Sequence, residues 1–435
     1  MEARAAPRRI GDLICGFCGL GCDDMEVTVA GHEVRARRAC PEAARLLRRG
    51  PGKPGGPRVG GREVPLAEAA AVAADLLQAS RAAVICGLGA DVAGLQGMCD
   101  LAARHGASLD HAASTGLFHN LDTLQRSGWI AVTLAEVRNR CDVMLVLGTD
   151  PGRAFPRFFE RACPLSRGPE SAPLFLAGAA RTVVFLGQAP EPTSRDSLAG
   201  HEVIHVGVPP GLLGEAAAAL RALVEGRALE SFAGAFGGTL GRTLHDLAAT
   251  LRGARYAVVT WHAATLGQGD AAHVADHAAG LVAALNRTTR AAVFPLDGRD
   301  NVMGAHQVML WRFGYPLRTV VGAGGVRHHP ELHATGAALA DADLMLHVSA
   351  FRPDPPPDFG GPVIALAHPE TEFAREPDVF IPVGTPGVDH AGHVFRMDMM
   401  VCLPLAQLRE VGLPSVAEAA AAILQPGILQ RGRTP

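Results

Sequence analysis

Lysine is almost missing from this chain: Lys53 is the only one among 435 residues. The 40 basic residues, nearly all arginine, are balanced by 43 carboxylates to a net charge of −3. Such a balance offers no electrostatic case for a nucleic-acid partner or an anionic membrane surface. Aromatic residues make up only 5%, which leaves no platform on which single-stranded bases could stack. No run approaches the roughly 18 apolar residues of a membrane span. The first apolar residues are broken by Arg8, Arg9 and Asp12, so no secretory leader is expected. Also missing are a G-x-S-x-G elbow, a P-loop and an H-E-x-x-H motif, the short patterns of a hydrolase nucleophile, a nucleotide cradle and a zinc protease. No short-period repeat is present. Nine cysteines, an odd number, in a chain without a leader point to a reducing, cytoplasmic setting.

Against these absences stands one dense feature. Cys15, Cys18, Cys22 and Cys40 follow the spacing C-x2-C-x3-C-x17-C. Gly16, Gly19 and Gly21 lie between the first three, so the backbone can turn tightly enough to aim several sulfurs inward. Thiolates are ligands for iron–sulfur clusters and for zinc. The rhythm of two, then three, then a distant fourth looks more like a cluster loop than a zinc ribbon with two CxxC pairs. Asp23 and Asp24 next to it suit a cap or turn better than catalysis.

At 48% hydrophobic residues, the chain is long and apolar enough for two to four packed lobes. Met25–Ala30 and Glu33–Arg37 read as an antiparallel pair turned at Gly31-His32, and 40–49 as a short helix. Residues 50–63, rich in Gly, Pro and Arg, read as a linker. Helical periodicity covers Leu66–Ala79, Val92–His105, Leu212–Leu223, Leu244–Leu251, Asp270–Leu285, Gln307–Phe313 and Val416–Leu424. Compact apolar runs at Ala82–Cys86, Val143–Leu147, Thr182–Leu186, Val203–Val206, Tyr256–Trp261, Ala291–Phe294, Leu344–Val348, Val363–Ala367 and Val379–Ile381 read as strands. Continuous apolar strands separated by helices imply parallel sheets covered on both faces, an α/β fold. Ligands in such sheets sit beyond the carboxyl ends of strands, where Gly87-Leu88-Gly89 and Gly148–Pro151 fall. The expected organisation is a Cys-loop lobe at 1–63, α/β domains at 64–210 and 211–350, and a segment at 351–435 that completes the lobes.

Several stretches, taken together, resemble the B subunit of formylmethanofuran dehydrogenase. They are the Cys loop with Asp23-Asp24; Leu134-Ala135-Glu136-Val137-Arg138-Asn139-Arg140 before the Val143 strand; Asp300-Asn301-Val302-Met303-Gly304-Ala305-His306-Gln307-Val308 with Gly314-Tyr315-Pro316; and Phe395-Arg396-Met397-Asp398. That subunit carries molybdopterin or tungstopterin and belongs to the wider molybdopterin oxidoreductase family. The resemblance implies a molybdopterin-oxidoreductase-like fold, with a small Cys-loop lobe and Rossmann-like, doubly wound parallel-sheet lobes. It also implies a [4Fe-4S] cluster on Cys15, Cys18, Cys22 and Cys40; zinc is the alternative from spacing. One departure stands out. In the stretch Ala113-Ser114-Thr115-Gly116-Leu117-Phe118-His119, Phe118 stands where the resemblance puts a metal-ligating Cys, and His119 keeps the following His. Phenylalanine has no lone pair for a metal, so loss of molybdopterin or tungstopterin is expected, with Phe118 and His119 as relics.

The departure fits a formyltransferase/hydrolase complex of methylotrophic bacteria, whose B subunit resembles the dehydrogenase subunit without running its redox chemistry. That complex moves a formyl group from formyl-tetrahydromethanopterin to a methanofuran-type carrier and hydrolyses it to formate. The resemblance places hydrolysis in its A subunit, formyl transfer in D and carrier binding in C. The expected role is therefore a non-redox, largely structural B subunit without catalytic residues of its own. The alternatives are an active molybdo- or tungstopterin dehydrogenase subunit and an iron–sulfur electron-transfer subunit. Lesser candidates read blandly: Cys141 as core, His328, His329 and His333 and the pair His390 and His393 as non-metal histidines, and Arg299 as a surface ion pair.

Overall fold

A computed structural model describes residues 6–48, 55–165, 173–176, 178–209, 211–228 and 238–426. The chain begins with β1 (Arg8–Leu13), β2 (Met25–Ala30), β3 (Glu33–Arg37), α1 (Pro41–Arg48), β4 (Arg58–Val59), β5 (Arg62–Glu63), α2 (Leu66–Ala79), β6 (Ala83–Gly89), α3 (Val92–His105) and β7 (Ala107–Leu109). It continues through α4 (Ser114–Ser127), α5 (Leu134–Arg140), β8 (Val143–Leu147), α6 (Pro151–Ala154), α7 (Phe158–Ala162), β9 (Thr182–Leu186), α8 (Pro192–Ser197), β10 (Glu202–Val206), α9 (Leu213–Val224), α10 (Thr239–Gly253), β11 (Ala257–Trp261), α11 (Gln268–Leu285) and β12 (Ala291–Pro295). The last part holds α12 (Val302–Phe313), β13 (Thr319–Gly322), β14 (Gly325–His328), α13 (Thr335–Ala340), β15 (Leu344–Ser349), β16 (Val363–Ala367), β17 (Val379–Pro382), β18 (Gly392–Phe395), β19 (Cys402–Leu405) and α14 (Val416–Leu424).

The chain forms two compact units, one from residues 1–114 with 298–435 and one from 115–297. These divisions differ from the limits expected at 63, 210 and 350. The reason is long-range pairing: β15 lies parallel to β6, with Met345 opposite Val84, so strands from separate expected domains share one sheet. The described part of the expected linker is also structured. There β4 and β5 form a hairpin, and β4 pairs with β17, while Arg58 lies 4.5 Å over the Phe380 ring. Residues 50–54 of that stretch lie outside the described residues.

In the first unit the large sheet runs β14-β13-β7-β6-β15-β16-β17-β4-β5. Its centre, β7 through β17, is parallel. β6, β15 and β16 are buried at every position, as strands covered on both faces must be. Two glycines let helices meet closely on one side. A Cβ at Gly97 of α3 would lie 2.8 Å from the Ala420 Cβ of α14, and one at Gly94 2.9 Å from Val416. Asp91 caps α3 through Gly94 N–H at 3.1 Å, and Ser415 with Glu418 forms a capping box on α14. Smaller sheets of β1-β2-β3 and β18-β19 complete the unit.

The second unit is a five-stranded, all-parallel sheet in the order β10-β9-β8-β11-β12. The chain winds outward from β8 in one direction and from β11 in the other, a doubly wound topology with its crevice between those two strands. Gly148 sits at this crevice with φ 63°, and Leu213 and Leu266 fill the space over it: a Cβ there would lie 2.1 and 2.8 Å from their methyls. Thr149 Oγ1 and Thr265 Oγ1 meet across the crevice at 3.2 Å. Asp150 accepts from Gly152 N–H, Ser194 Oγ–H and Glu191 N–H at 2.9, 2.7 and 2.8 Å. This carboxylate is saturated by its own fold.

One buried cation organises the helix ends here. Arg181 is 1% exposed. It donates through Nη1 to the carbonyls of Val137 and Ala162, both at 3.0 Å, and through Nη2 to that of Arg138 at 2.6 Å. These carbonyls lie in the final turns of α5 and α7, where intrahelical donors run out. Replacing Arg181 with Leu takes a donor from all three carbonyls, of which that of Val137 keeps the Cys141 N–H at 3.2 Å. Thermal and urea unfolding of Arg181→Leu are expected to show a loss of about 3 kcal/mol; a loss under about 1 kcal/mol would show that the carbonyls find other donors.

Candidate functional site

The topology of the larger sheet points to one place. Strand order β7-β6-β15-β16-β17 means that connections leave β6 one way and β15 the other, so the crevice between their carboxyl ends is where α/β sheets bind ligands. The backbone there is unusual. Gly87 has φ 79° and Leu88, a buried leucine, φ 53°. A Cβ at Gly87 would lie 2.4 Å from the carbonyl oxygen of Val348, so only glycine fits. The β6–β15 register slips between His347 and Ser349, a bulge that re-aims the chain.

A second left-handed pair packs onto the first. Asp300 and Asn301 have φ of 52° and 65°, a strained conformation of the kind that clusters at functional sites. Asn301 Nδ2 donates to the Ala90 carbonyl and Asn301 Oδ1 accepts from Phe395 N–H, both at 2.9 Å. His111, 1% exposed, accepts at Nδ1 from Ala113 N–H at 2.9 Å and donates from Nε2 to the Asp300 carbonyl at 3.1 Å. The ring is therefore a neutral Nε2–H tautomer, and burial holds its pKa below the ordinary histidine value.

Arg352 ties the crevice together. Its side chain donates from Nε to Asp300 Oδ1 at 2.7 Å, from Nη1 to Glu42 Oε1 at 2.6 Å and from Nη2 to the Phe17 carbonyl at 3.1 Å. Burial works against the charge, but Asp300, Glu42 and Asp354 hold the pKa above its usual value. Arg299 is likewise engaged, with Asp300 at 3.1 Å and Asp354 at 2.6 Å, the ion pairing expected of it.

The Cys loop closes over this network. Cys15 N–H donates to the Cys22 carbonyl at 2.8 Å, Asp300 N–H to Phe17 at 3.1 Å and Met397 N–H to Gly19 at 2.8 Å. Gly19, φ 79°, approaches Gly298 so closely that a Cβ would lie 2.7 Å from its Cα. Three of the stretches that carry the family resemblance, far apart in sequence, thus meet: the Cys loop, Asp300-Asn301 and Phe395-Arg396-Met397. Cys15 and Cys22 are buried, Cys18 and Cys40 half-buried. Burial, then the sulfurs of Cys18 and Cys22, push the Cys15 thiol well above its ordinary value, and burial pushes Cys18 up to about 11. Cys15 and Cys18 are held as thiols at neutral pH. The chemistry of the four suits a cluster or zinc, but among the described residues no group of three or more His, Cys, Asp or Glu side chains is placed to hold a metal ion. Arg299 and Arg352 are both paired to carboxylates.

Phe118 and His119 lie in the second unit, both half-buried on α4. That helix is seated by Asn120, which accepts from Trp261 Nε1–H at 2.9 Å, and by Gly116, where a Cβ would lie 2.9 Å from Ala264 N. Cys141 is core, donating to the Val143 carbonyl at 3.4 Å. His329 accepts from Leu332 N–H at 3.2 Å, His328 contacts the Arg318 carbonyl at 3.1 Å and His390 contacts the Ala391 carbonyl at 2.8 Å. Sequence reading missed His111 and Arg352. The available signal was position alone: each follows the end of a central strand.

Two outcomes follow. Arg352→Met takes from Asp300 the more buried of its two cations and leaves only the exposed Arg299, so unfolding should show a loss of about 2 kcal/mol, and amides of residues 15–22 should exchange hydrogen faster than in the parent. Unchanged exchange in the loop would show that Arg352 does not hold it. The second concerns acid. Burial lowers His306 from 6.5 to about 4. The unfolded chain therefore takes up a proton that the folded chain refuses, and stability should fall as pH drops from 6.5 toward about 4. His306→Phe should flatten part of that slope.

No family model matches the chain. It is 27% identical, over 414 residues, to the B subunit of the tungsten-containing formylmethanofuran dehydrogenase 2 of Methanocaldococcus jannaschii, covering 89% of this chain and 91% of that protein. It is 29% identical, over 370 residues, to the B subunit of the formyltransferase/hydrolase complex Fhc of Methylorubrum extorquens, covering 81% and 91%. Among solved structures, a chain of the formyltransferase/hydrolase complex FhcABCD from Methylorubrum extorquens, crystallised with methylofuran, superimposes with a TM-score of 0.69 at 26% identity, covering 86% of this chain and 99% of that one. The α/β fold with parallel sheets is shared, and the chain is a relative of the B subunits of formylmethanofuran dehydrogenase and of the formyltransferase/hydrolase complex.

Proposed function

We propose that the chain is a non-redox, largely structural B subunit of a formyltransferase/hydrolase complex. Such a complex carries a formyl group from formyl-tetrahydromethanopterin, through a methanofuran-type carrier, to formate. Its A, C and D subunits are the proposed partners, in a reducing, cytoplasmic setting supported by nine free thiols and by the lack of any described helix long and apolar enough to cross a membrane. Phe118 carries the reading. A hydrocarbon ring stands where the resemblance calls for a metal-binding thiolate, and a ring cannot ligate. The pairing of Arg299 and Arg352 with carboxylates supports the same reading, because a cofactor phosphate would have to compete with those partners. The Cys15–Cys40 segment then serves to anchor the N-terminal lobe, whether or not a cluster or zinc sits in it.

One observation favours a second reading. Relatives from Methanocaldococcus jannaschii and, at 26% identity, Methanococcus maripaludis are named as tungsten-containing dehydrogenase subunits. An active dehydrogenase would need tungsten or molybdenum with an extractable pterin; an electron-transfer subunit would need iron and acid-labile sulfide with a signal on reduction.

Co-purification from the native host with the A, C and D subunits, followed by metal and pterin analysis, separates these readings. The expected result is a four-subunit assembly that releases formate, with no stoichiometric tungsten, molybdenum or pterin. Formate release per assembled complex should stay within about twofold in Phe118→Ala, since a residue outside the chemistry leaves the transition state untouched. Tungsten or molybdenum near one atom per chain, or a chain that purifies without such partners, would overturn the proposal.

A further inference from the structure

The carboxyl-end crevice is not the only place where the larger sheet presents chemistry. At the opposite, amino ends of β6 and β7, four residues stand in one transverse row. Arg327 pairs with Val320, Val320 with Ser108 and Ser108 with Val84. Directly paired residues project from the same face of a sheet. A cleft of about 360 Å³ lies over this row, within the usual size of small-molecule sites. One side is closed by α13, a six-residue helix with no buried residue; Leu332, 61% exposed, stands at the rim.

Three observations give the cleft a chemical character. Ser108 is 5% exposed, yet its Oγ has no hydrogen-bond partner among the described residues. Buried hydroxyls are nearly always satisfied, and one that is not calls for an occupant. Arg81 and Arg327 line the cleft, are exposed, and form no salt bridge among the described residues. Asp341 also lines it, whereas nearby Asp343 is engaged by Ser80 Oγ and by the backbone N–H groups of Arg81 and Ala82 at 2.8 and 3.1 Å. Two guanidiniums against one lining carboxylate leave a net positive mouth. The walls, Val84, Val320 and Leu332, are apolar.

We propose that this cleft is a binding site for a small organic acid: an apolar, ring-sized body lies on Val84 and Val320, its anionic group is held by Arg81 and Arg327, and a polar edge reaches Ser108. The site is separate from the switch-point crevice, whose cations are already paired. It does not depend on the subunit role proposed above.

The probe is 2-naphthoate, titrated into the full-length chain by calorimetry, with neutral 2-naphthamide as control. Saturable binding at one site per chain is expected, with the amide at least about tenfold weaker. Arg81→Gln with Arg327→Gln, both at exposed positions, should weaken naphthoate by about tenfold or more while leaving the melting temperature in place. Ser108→Ala should weaken it less, because it removes one neutral hydrogen bond. Absence of saturable binding, or binding indifferent to the double arginine substitution in a chain that melts normally, would overturn the proposal.

Discussion

A guanidinium buried where four chain segments cross sets the geometry of the larger unit. Arg352 reaches Asp300, Glu42 and the Phe17 carbonyl at once. Bringing a cation out of water is costly, and what offsets the cost is the completeness of its partners. The result is positional. The Cys loop, α1, the left-handed turn at Asp300-Asn301 and the end of β15 are separated by as many as 335 residues of chain, yet one side chain holds them. Asn301 adds a second fastening by bonding Ala90 and Phe395. The strained backbone at Leu88, Asp300 and Asn301 persists because these contacts over-determine it.

Both units carry a doubly wound sheet with a switch point, and each has its crevice filled by protein in a different way. In the smaller unit Leu213 and Leu266 lie over Gly148, and Asp150 is saturated by three donors. In the larger one the filling is polar: carboxylates and guanidiniums neutralise one another. A topology that elsewhere cradles cofactors is here packed and paired. That agrees with the proposed role as a subunit whose surfaces matter more than its own chemistry, while Ser108, Arg81 and Arg327 over the amino ends of β6 and β7 keep polar capacity to spare.

The sequence was most legible where strands are buried on both faces. Val143–Leu147, Thr182–Leu186 and Val363–Ala367 stand where their apolar runs end, and Val92–His105 runs from its Asp91 cap to Gly106. The elements that escaped are short and half-exposed, such as β13, β14, β18 and β19, whose residues read as loop until a partner strand is known. The same partner problem hid the domain limits: nothing local at Ala83 or Leu344 says that these strands are neighbours. At the site, each resemblance-bearing stretch could be read singly, while their meeting could not. Arg352 had no local mark, because a lone arginine after a strand is ordinarily solvated.

What the sequence determined alone was therefore local and chemical. It set the α/β alternation through apolar periodicity, the thiol spacing from Cys15 to Cys40, and a phenylalanine at 118, a side chain with no donor atom whatever the fold. Tertiary structure decided which groups lose water and to whom they turn. Whether an arginine is a surface charge or a buried clasp, and whether a crevice is open or filled, depends on residues hundreds of positions away. Desolvation and pairing are properties of the assembled chain, and no window of sequence contains them.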